Sequence, residues 1–280
     1  DSIPMVVICG QVPRAAIGTD AFQEAPIAAL MGAVAKHVFL VTDPEKLEAT
    51  IRTAFVLARS GRPGPVVVDV PKDVQNWQGV YAGRGTLAST GVYQRRMREL
   101  DARRLGEAQL ESFFQILQGA KRPLVYAGGG VIHAGAAQAL REFSSTFGIP
   151  VVTTLMGIGS VDTHDALCLR MLGMHGAAFA NYAVEDCDFL IAMGARFDDR
   201  VAGAPAKFAP RATHIAQLDI DPAEINKVKA VQWSHIGDME DALRSLVAWG
   251  RKHGVRPDFS AWQGAVGALK RNHPMNYDRD

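Results

Sequence analysis

The sequence predicts an α/β protein built on doubly wound parallel sheets, and three observations carry that expectation. Short β-rich runs alternate with stretches whose apolar residues recur every three or four positions. The run Pro65-Val66-Val67-Val68-Asp69-Val70-Pro71, apolar but for Asp69, marks a strand buried on both faces. Each β-rich run in the second part of the chain then stops in a Gly-rich or polar loop. That is the carboxyl edge where open α/β sheets take ligands.

The first part reads as the tail of an α/β unit, residues 1–77. Val6 to Gly10 is strand-like. Gly18 to Glu24 is expected to begin a helix with Thr19 or Asp20 as its cap, and Phe22 and Gln23 either line a pocket or sit on a capped helix start. Lys36 and His37 fall at a loop position, where a lone lysine is ordinarily solvated. Pro44 to Ser60 is a helix with apolar Leu47, Ile51, Ala54, Phe55 and Ala58 on one stripe. Asp43 caps it, Pro44 suits its first position and Gly61 ends it. A buried strand over 65–71 follows, leading into Lys72-Asp73-Val74.

Residues 78–105 change character. Glycines mix with Arg84, Arg95, Arg96, Arg98, Arg103 and Arg104 without a period, which reads as a linker. A second unit spans 106–253. It has helices over Glu107–Gly119, Ala134–Phe147, Phe179–Asp186 and Met239–Gly250. Its strands are Leu124–Ala127, Pro150–Thr154, Asp188–Met193, His214–Ile220 and Val231–Ile236. Residues 254–280 read as a polar connector.

Composition bounds the function. The 280 residues are 48% hydrophobic and 21% charged, ordinary for a globular chain. A net charge of +1 argues against a dedicated nucleic-acid or anionic-membrane surface. No apolar run approaches the ~18 residues that span a bilayer. Cys9, Cys168 and Cys187 form no metal pattern and read as buried small hydrophobes of a reducing compartment. The first residue is not Met and the chain begins almost within a strand, so it reads as an internal fragment. With no targeting segment visible, a cytoplasmic protein is expected.

The most informative feature is Gly194-Ala195-Arg196-Phe197-Asp198-Asp199-Arg200, four charges just past an apolar strand. Such a cluster either touches a ligand or forms local ion pairs. Gly128-Gly129-Gly130, also after a strand, either lets a diphosphate approach the backbone or makes a tight strand-to-helix turn. It is not the strict GxGxxG fingerprint. Thr154-Leu155-Met156, Leu172-Gly173-Met174-His175-Gly176, Asp219-Ile220 and Gly237-Asp238 stand at further loop positions. Together they fit a long ligand such as a dinucleotide, with Asp219 placed to accept from ribose hydroxyls. Met174 is either core or a loop contact, and His175 has no obvious carboxylate partner and reads as a packing or hydrogen-bonding residue. No hydrolase triad, zinc spacing or P-loop is present.

Four ordered motifs, GQVPRAAIGTDAFQE (10–24), GRPGPVVVDVPKDV (61–74), MLGMHG (171–176) and GARFDDRVAG (194–203), resemble the catalytic subunit of acetohydroxyacid synthase, also called acetolactate synthase. The resemblance covers nearly the whole chain. It implies part of a pyrimidine-binding domain followed by a complete central FAD-binding domain with a six-stranded parallel sheet. The implied reaction decarboxylates pyruvate on thiamine diphosphate and joins the two-carbon unit to a second 2-ketoacid, pyruvate or 2-ketobutyrate, in valine, leucine and isoleucine biosynthesis. By the same resemblance Phe22, Gln23, Lys72, Met174 and Arg200 surround the active site, with Arg200 holding a carboxylate. Matching FAD positions are Arg62, Gly128 to Gly130, Thr154 to Met156, Leu172 to Gly176, Gly194, Ala195, Arg196, Asp198, Arg200, Asp219, Ile220 and Asp238. The family's activating glutamate and its GDG…NN ligands for Mg²⁺ have no counterpart here, so the fragment alone is expected to be inactive. Cys9 in place of Thr, and Met31 to Ala35 in place of a more polar stretch, depart from the pattern. A homodimer or homotetramer with a small regulatory subunit is the implied assembly. The alternatives are another thiamine-diphosphate carboligase or decarboxylase, and a non-catalytic FAD-binding module.

Overall fold

In the computed structural model, residues 2–80, 83, 85–88 and 91–275 are described. Arg84 and the last five residues of the polar tail lie outside them. The chain divides into two units, Asp1–Arg98 and Glu99–Asp280.

Unit 1 holds β1 (Met5–Gln11), α1 (Ile27–Met31), β2 (His37–Leu40), α2 (Leu47–Arg59), β3 (Pro65–Pro71) and α3 (Lys72–Gln75), and α4 (Gly91–Asp101) runs across the division at Arg98. Its three strands are parallel, in the order β1-β3-β2. The Asp43 side chain accepts from the Glu45 amide and Pro44 sits in the first turn, but of a short 3-10 turn, Pro44–Lys46, that leads into α2; α2 itself starts at Leu47 behind Lys46, without a side-chain cap. The buried stripe differs from the expected one. Thr50, Thr53, Ala54, Leu57 and Ala58 face the sheet, whereas Phe55 is 57% exposed. Val66, Val68 and Val70 complete this small core. On β1, which edges the sheet, Met5 and Ile8 stay largely exposed.

Unit 2 is built on six parallel strands: β4 (Pro123–Ala127), β5 (Val151–Thr153), β6 (Cys168–Met171), β7 (Phe189–Met193), β8 (His214–Asp219) and β9 (Trp233–Ile236). Their order is β6-β5-β4-β7-β8-β9. The chain winds outward one way from β4 and then the other way from β7, as doubly wound dinucleotide-binding sheets do. Helices α5 (Glu107–Gly119), α6 (Gly129–His133), α7 (Ala137–Phe147) and α10 (Met239–Lys252) pack as one layer, and α8 (Ala178–Asp186) packs with α11 (Ser260–Asn272). A short α9 (Asp199–Ala202) follows β7. Phe113, Phe143, Phe189 and Trp233 form the aromatic centre under the first layer, with Phe113 and Trp233 ring centroids 5.1 Å apart.

Several local expectations are corrected. Residues 18–24 form turns, not a helix, because Gly18, Asp20 and Gln23 all take positive φ and Glu24 accepts the Gly18 and Ala21 amides. The Arg-rich stretch contains the 11-residue α4. The helix expected from Ala134 begins at Ala137 as α7, and a separate short helix, α6, precedes it over Gly129–His133, with Gly135 at φ 67° between the two. The polar connector carries α11, whose buried Trp262 donates to the Pro123 carbonyl at 2.9 Å. Strands β2 and β6 are additions to the expected set. Cys168 and Cys187 are buried, but Cys9 is only half-buried. Lys36 is not solvated: its ammonium donates to the carbonyls of Leu57, Ser60 and Arg62, closing the end of α2.

Candidate functional site

All six strands of unit 2 run the same way, so their carboxyl ends share one edge. Along that edge stand the residues singled out from sequence. Gly128 to Gly130 follow β4, Thr154 to Met156 follow β5 and Leu172 to Gly176 follow β6. Gly194 to Arg200 follow β7, Asp219 closes β8 with Ile220 after it, and Asp238 follows β9. The winding reverses between β4 and β7, which puts Gly128 and Gly194 at the switch point.

The glycines there serve close packing. The Gly128 amide donates to the Met193 carbonyl at 2.9 Å and the Gly130 amide to the Gly194 carbonyl at 3.1 Å. A Cβ on Gly128 would lie 2.1 Å from the Gly194 oxygen, and one on Gly130 2.6 Å from the Gly194 Cα. Of the two sequence readings of this triplet, the tight turn is thus realised at Gly128 and Gly130. Gly129 faces the neighbouring loop, where a Cβ would meet Met156 Cβ at 2.9 Å.

The charge cluster after β7 forms local pairs. Arg196 Nη2 lies 3.3 Å from Asp198 Oδ2, and Asp198 Oδ1 accepts the Arg200 amide at 2.9 Å, capping α9. Beneath this loop Phe197 is buried against Tyr126 and Phe208. The Tyr126 hydroxyl is buried without a hydrogen-bond partner, and burial followed by the charge of Asp198 pushes its pKa upward. Asp199 and Arg200 are exposed.

The loop after β6 is held from two sides. Asn181 on α8 accepts the Gly173 amide at 2.8 Å and donates to the Gly173 carbonyl at 3.0 Å. The Met174 amide donates to the Arg200 carbonyl at 3.3 Å, which brings the MLGMHG and GARFDDR segments together. Leu172 is buried, while Met174 is 75% exposed and His175 is exposed, so neither of these last two packs into the core. Leu155 and Met156 add exposed apolar surface. Asp219 is nearly buried and its Oδ1 accepts the Asp221 amide at 2.9 Å. Thr154 caps the turn after β5 and Asp238 caps α10.

In unit 1, Phe22 is 90% exposed and Gln23 is held at φ 67°. Lys72 is exposed at the start of α3. Arg62 precedes β3 and Lys72 follows it, so the two stand at opposite ends of one seven-residue strand. Arg62 donates to Ser2 Oγ at 3.0 Å.

Sequence reading missed Asn181, which a lone amide amid the apolar run Phe179-Ala180-Asn181-Tyr182-Ala183 could have flagged. It also missed Tyr126, hidden in a strand. A shallow concavity of ≈ 330 Å³ lies beside the amino-terminal half of β8, near Pro205, Ile215 and Gln232, away from these loops. Among the described residues no group of three or more His, Cys, Asp or Glu is disposed to hold a metal, and no helix is long and apolar enough to cross a membrane.

Residues 110–246 match the family described as thiamine pyrophosphate enzyme, central domain. The chain is 44% identical over 277 residues to the acetolactate synthase large subunit of Parasynechococcus marenigrum, covering 98% of this chain and 44% of that protein. It is 46% identical over 279 residues to acetolactate synthase 1, chloroplastic, of Oryza sativa subsp. japonica, covering 99% of this chain and 42% of that protein. The corresponding figures for acetolactate synthase, chloroplastic, of Arabidopsis thaliana are 42% over 279 residues, 99% and 40%. The chain therefore spans less than half the length of these relatives.

Proposed function

We propose that this chain belongs with the acetolactate synthases among thiamine pyrophosphate enzymes and is part of an acetolactate synthase catalytic subunit; the similarity to the central-domain family and to the acetolactate synthases supports that reading. The whole enzyme condenses pyruvate, after decarboxylation, with a second pyruvate or 2-ketobutyrate. The observation that carries the reading is the single edge of unit 2 on which all six strand ends gather the residues of the resemblance.

That edge fits an extended dinucleotide, and FAD is the one proposed. Leu155, Met156 and Met174 offer exposed apolar surface to ring systems, Arg196 a cation, and Asp219 a carboxylate at a strand end. The loops of Gly128 to Gly130, Leu172 to Gly176 and Gly194 to Ala195 supply the contour, with Thr154, Asp198, Ile220 and Asp238 beside it. FAD takes no net redox part in this reading.

Arg200 is assigned the carboxylate of the second ketoacid. Its backbone is fixed on both sides, by Asp198 Oδ1 and by the Met174 amide, while its side chain is exposed, so a planar fork is presented from a set position. Phe22, Gln23, Lys72 and Met174 are assigned to the surroundings of the active site. Thiamine diphosphate, when bound, supplies the carbanion chemistry. No residue of this chain is assigned to its Mg²⁺. Assembly as a homodimer or homotetramer, with a small regulatory subunit and in the cytoplasm, belongs to the same reading.

The test is product analysis. The full-length polypeptide carrying this chain, supplied with pyruvate, thiamine diphosphate, Mg²⁺ and FAD, is expected to form acetolactate, and acetohydroxybutyrate when 2-ketobutyrate is added. A different condensation product, or release of an aldehyde alone, would assign it to another thiamine-diphosphate carboligase or decarboxylase. Flavin binding without any ketoacid chemistry would make it a binding module.

A further inference from the structure

We propose that Arg14 is a positioning residue that clasps the loops after all three strands of unit 1 and so fixes the turn presenting Lys72. Arg14 lies in the loop after β1. Its amide donates to Asp73 Oδ1 at 3.0 Å and its Nε to Asp73 Oδ2 at 2.6 Å, while Nη1 donates to the Thr42 carbonyl at 2.6 Å. Thr42 follows β2, and Asp73 follows β3 in the first turn of α3, next to Lys72. One side chain and one amide thus join three strand ends.

An exposed ion pair alone would contribute little. Here a main-chain donor and a charged fork share one carboxylate, and the planar guanidinium reaches a carbonyl on the far side, which an ammonium cannot reproduce. The Arg14 amide first, and its guanidinium second, hold the Asp73 carboxyl below the usual range. The same segment is fastened further along. Gln11 Nε2 donates to the Ala25 carbonyl at 2.7 Å and to Asp69 Oδ2 at 3.2 Å, so the stretch carrying Phe22 and Gln23 is held at both ends.

The inference rests on the reading of Lys72 as an active-site residue. In the full-length polypeptide, Arg14→Lys and Asp73→Asn are each expected to lower kcat/KM about tenfold through misplacement. The thermal midpoint should stay nearly unchanged, and the double variant should lose no more than either single one. Losses that multiply, that track a falling midpoint, or that are absent while Lys72→Met is impaired would overturn the clasp. If Lys72→Met itself leaves acetolactate formation intact, the reading of Lys72 fails and hydrogen exchange in the present chain decides the clasp. Faster exchange of the Arg14 amide and of α3 in Asp73→Asn supports it, and unchanged exchange overturns it.

Discussion

Replacing Gly128 by alanine isolates the packing at the switch point from the usual backbone cost of losing a glycine. Gly128 has φ −103° and ψ −174°, extended values open to any residue. The whole penalty is therefore steric. The new methyl would sit 2.1 Å from the Gly194 oxygen and 2.8 Å from the Ala195 Cα, both backbone atoms of the neighbouring strand's end. Neither can rotate away, so β4 and β7 must part at their carboxyl ends. Overpacking of this kind costs about 1–3 kcal/mol, and rigid backbone neighbours place it near the upper figure, about 3 kcal/mol. Gly135 is the control. It takes φ 67° and a methyl added there would meet nothing within 4 Å, so Gly135→Ala carries only left-handed strain, about 1 kcal/mol. For a unit of this size each kcal/mol moves the midpoint by about 2–4 °C, which predicts a fall of roughly 6–12 °C against 2–4 °C. Thermal unfolding followed by tryptophan fluorescence reads it, since Trp233, Trp249 and Trp262 all lie in unit 2. A Gly128→Ala midpoint no lower than that of Gly135→Ala would refute the argument that these glycines exist for strand-to-strand approach.

Two further outcomes follow from the same geometry. Asn181→Leu removes both hydrogen bonds to Gly173 and should cost about 1–3 kcal/mol, with faster exchange confined to residues 172–176. Exchange spread evenly over unit 2 would count against a local bracket. His235 is nearly buried, and burial, then Arg103 and Arg104, hold its pKa below 6.5. The unfolded chain therefore binds a proton that the folded ring resists, so unit 2 loses stability as pH falls below 6.5. In His235→Gln that acid-side slope should flatten in urea titrations, and an unchanged slope would assign it elsewhere.

What is legible in the sequence follows from how local each signal is. Asp43 and Pro44 announce the 3-10 turn that leads into α2 because capping is settled within four residues. Strands β4 and β7 are legible as continuous apolar runs because both faces are covered. The placing of the loop residues on one edge is legible for the same reason, since parallel strands must share their carboxyl side. Strand β6 is not legible, because the exposed Arg170, at φ 60°, interrupts Cys168–Met171 and the register slips against β5. Helix α11 hides its stripe among small residues, with only Trp262 and Val266 buried. The segment 18–24 carries helix-start residues, yet the Glu24 side chain takes the amides a helix would use. Spacing alone places Phe55 on the buried stripe, whereas the smaller Thr50 and Thr53 meet the sheet. Long-range partners such as Arg14 with Asp73, 59 positions apart, leave no periodic trace.

The proposal that the carboxyl edge of the unit 2 sheet holds FAD is tested most directly by flavin binding to the full-length polypeptide. Quenching of FAD fluorescence on titration is predicted to saturate at one flavin per chain. Arg196→Ala and Asn181→Leu should weaken it while the thermal midpoint of Arg196→Ala stays put. Absence of saturable binding, or binding indifferent to both substitutions, would contradict the account.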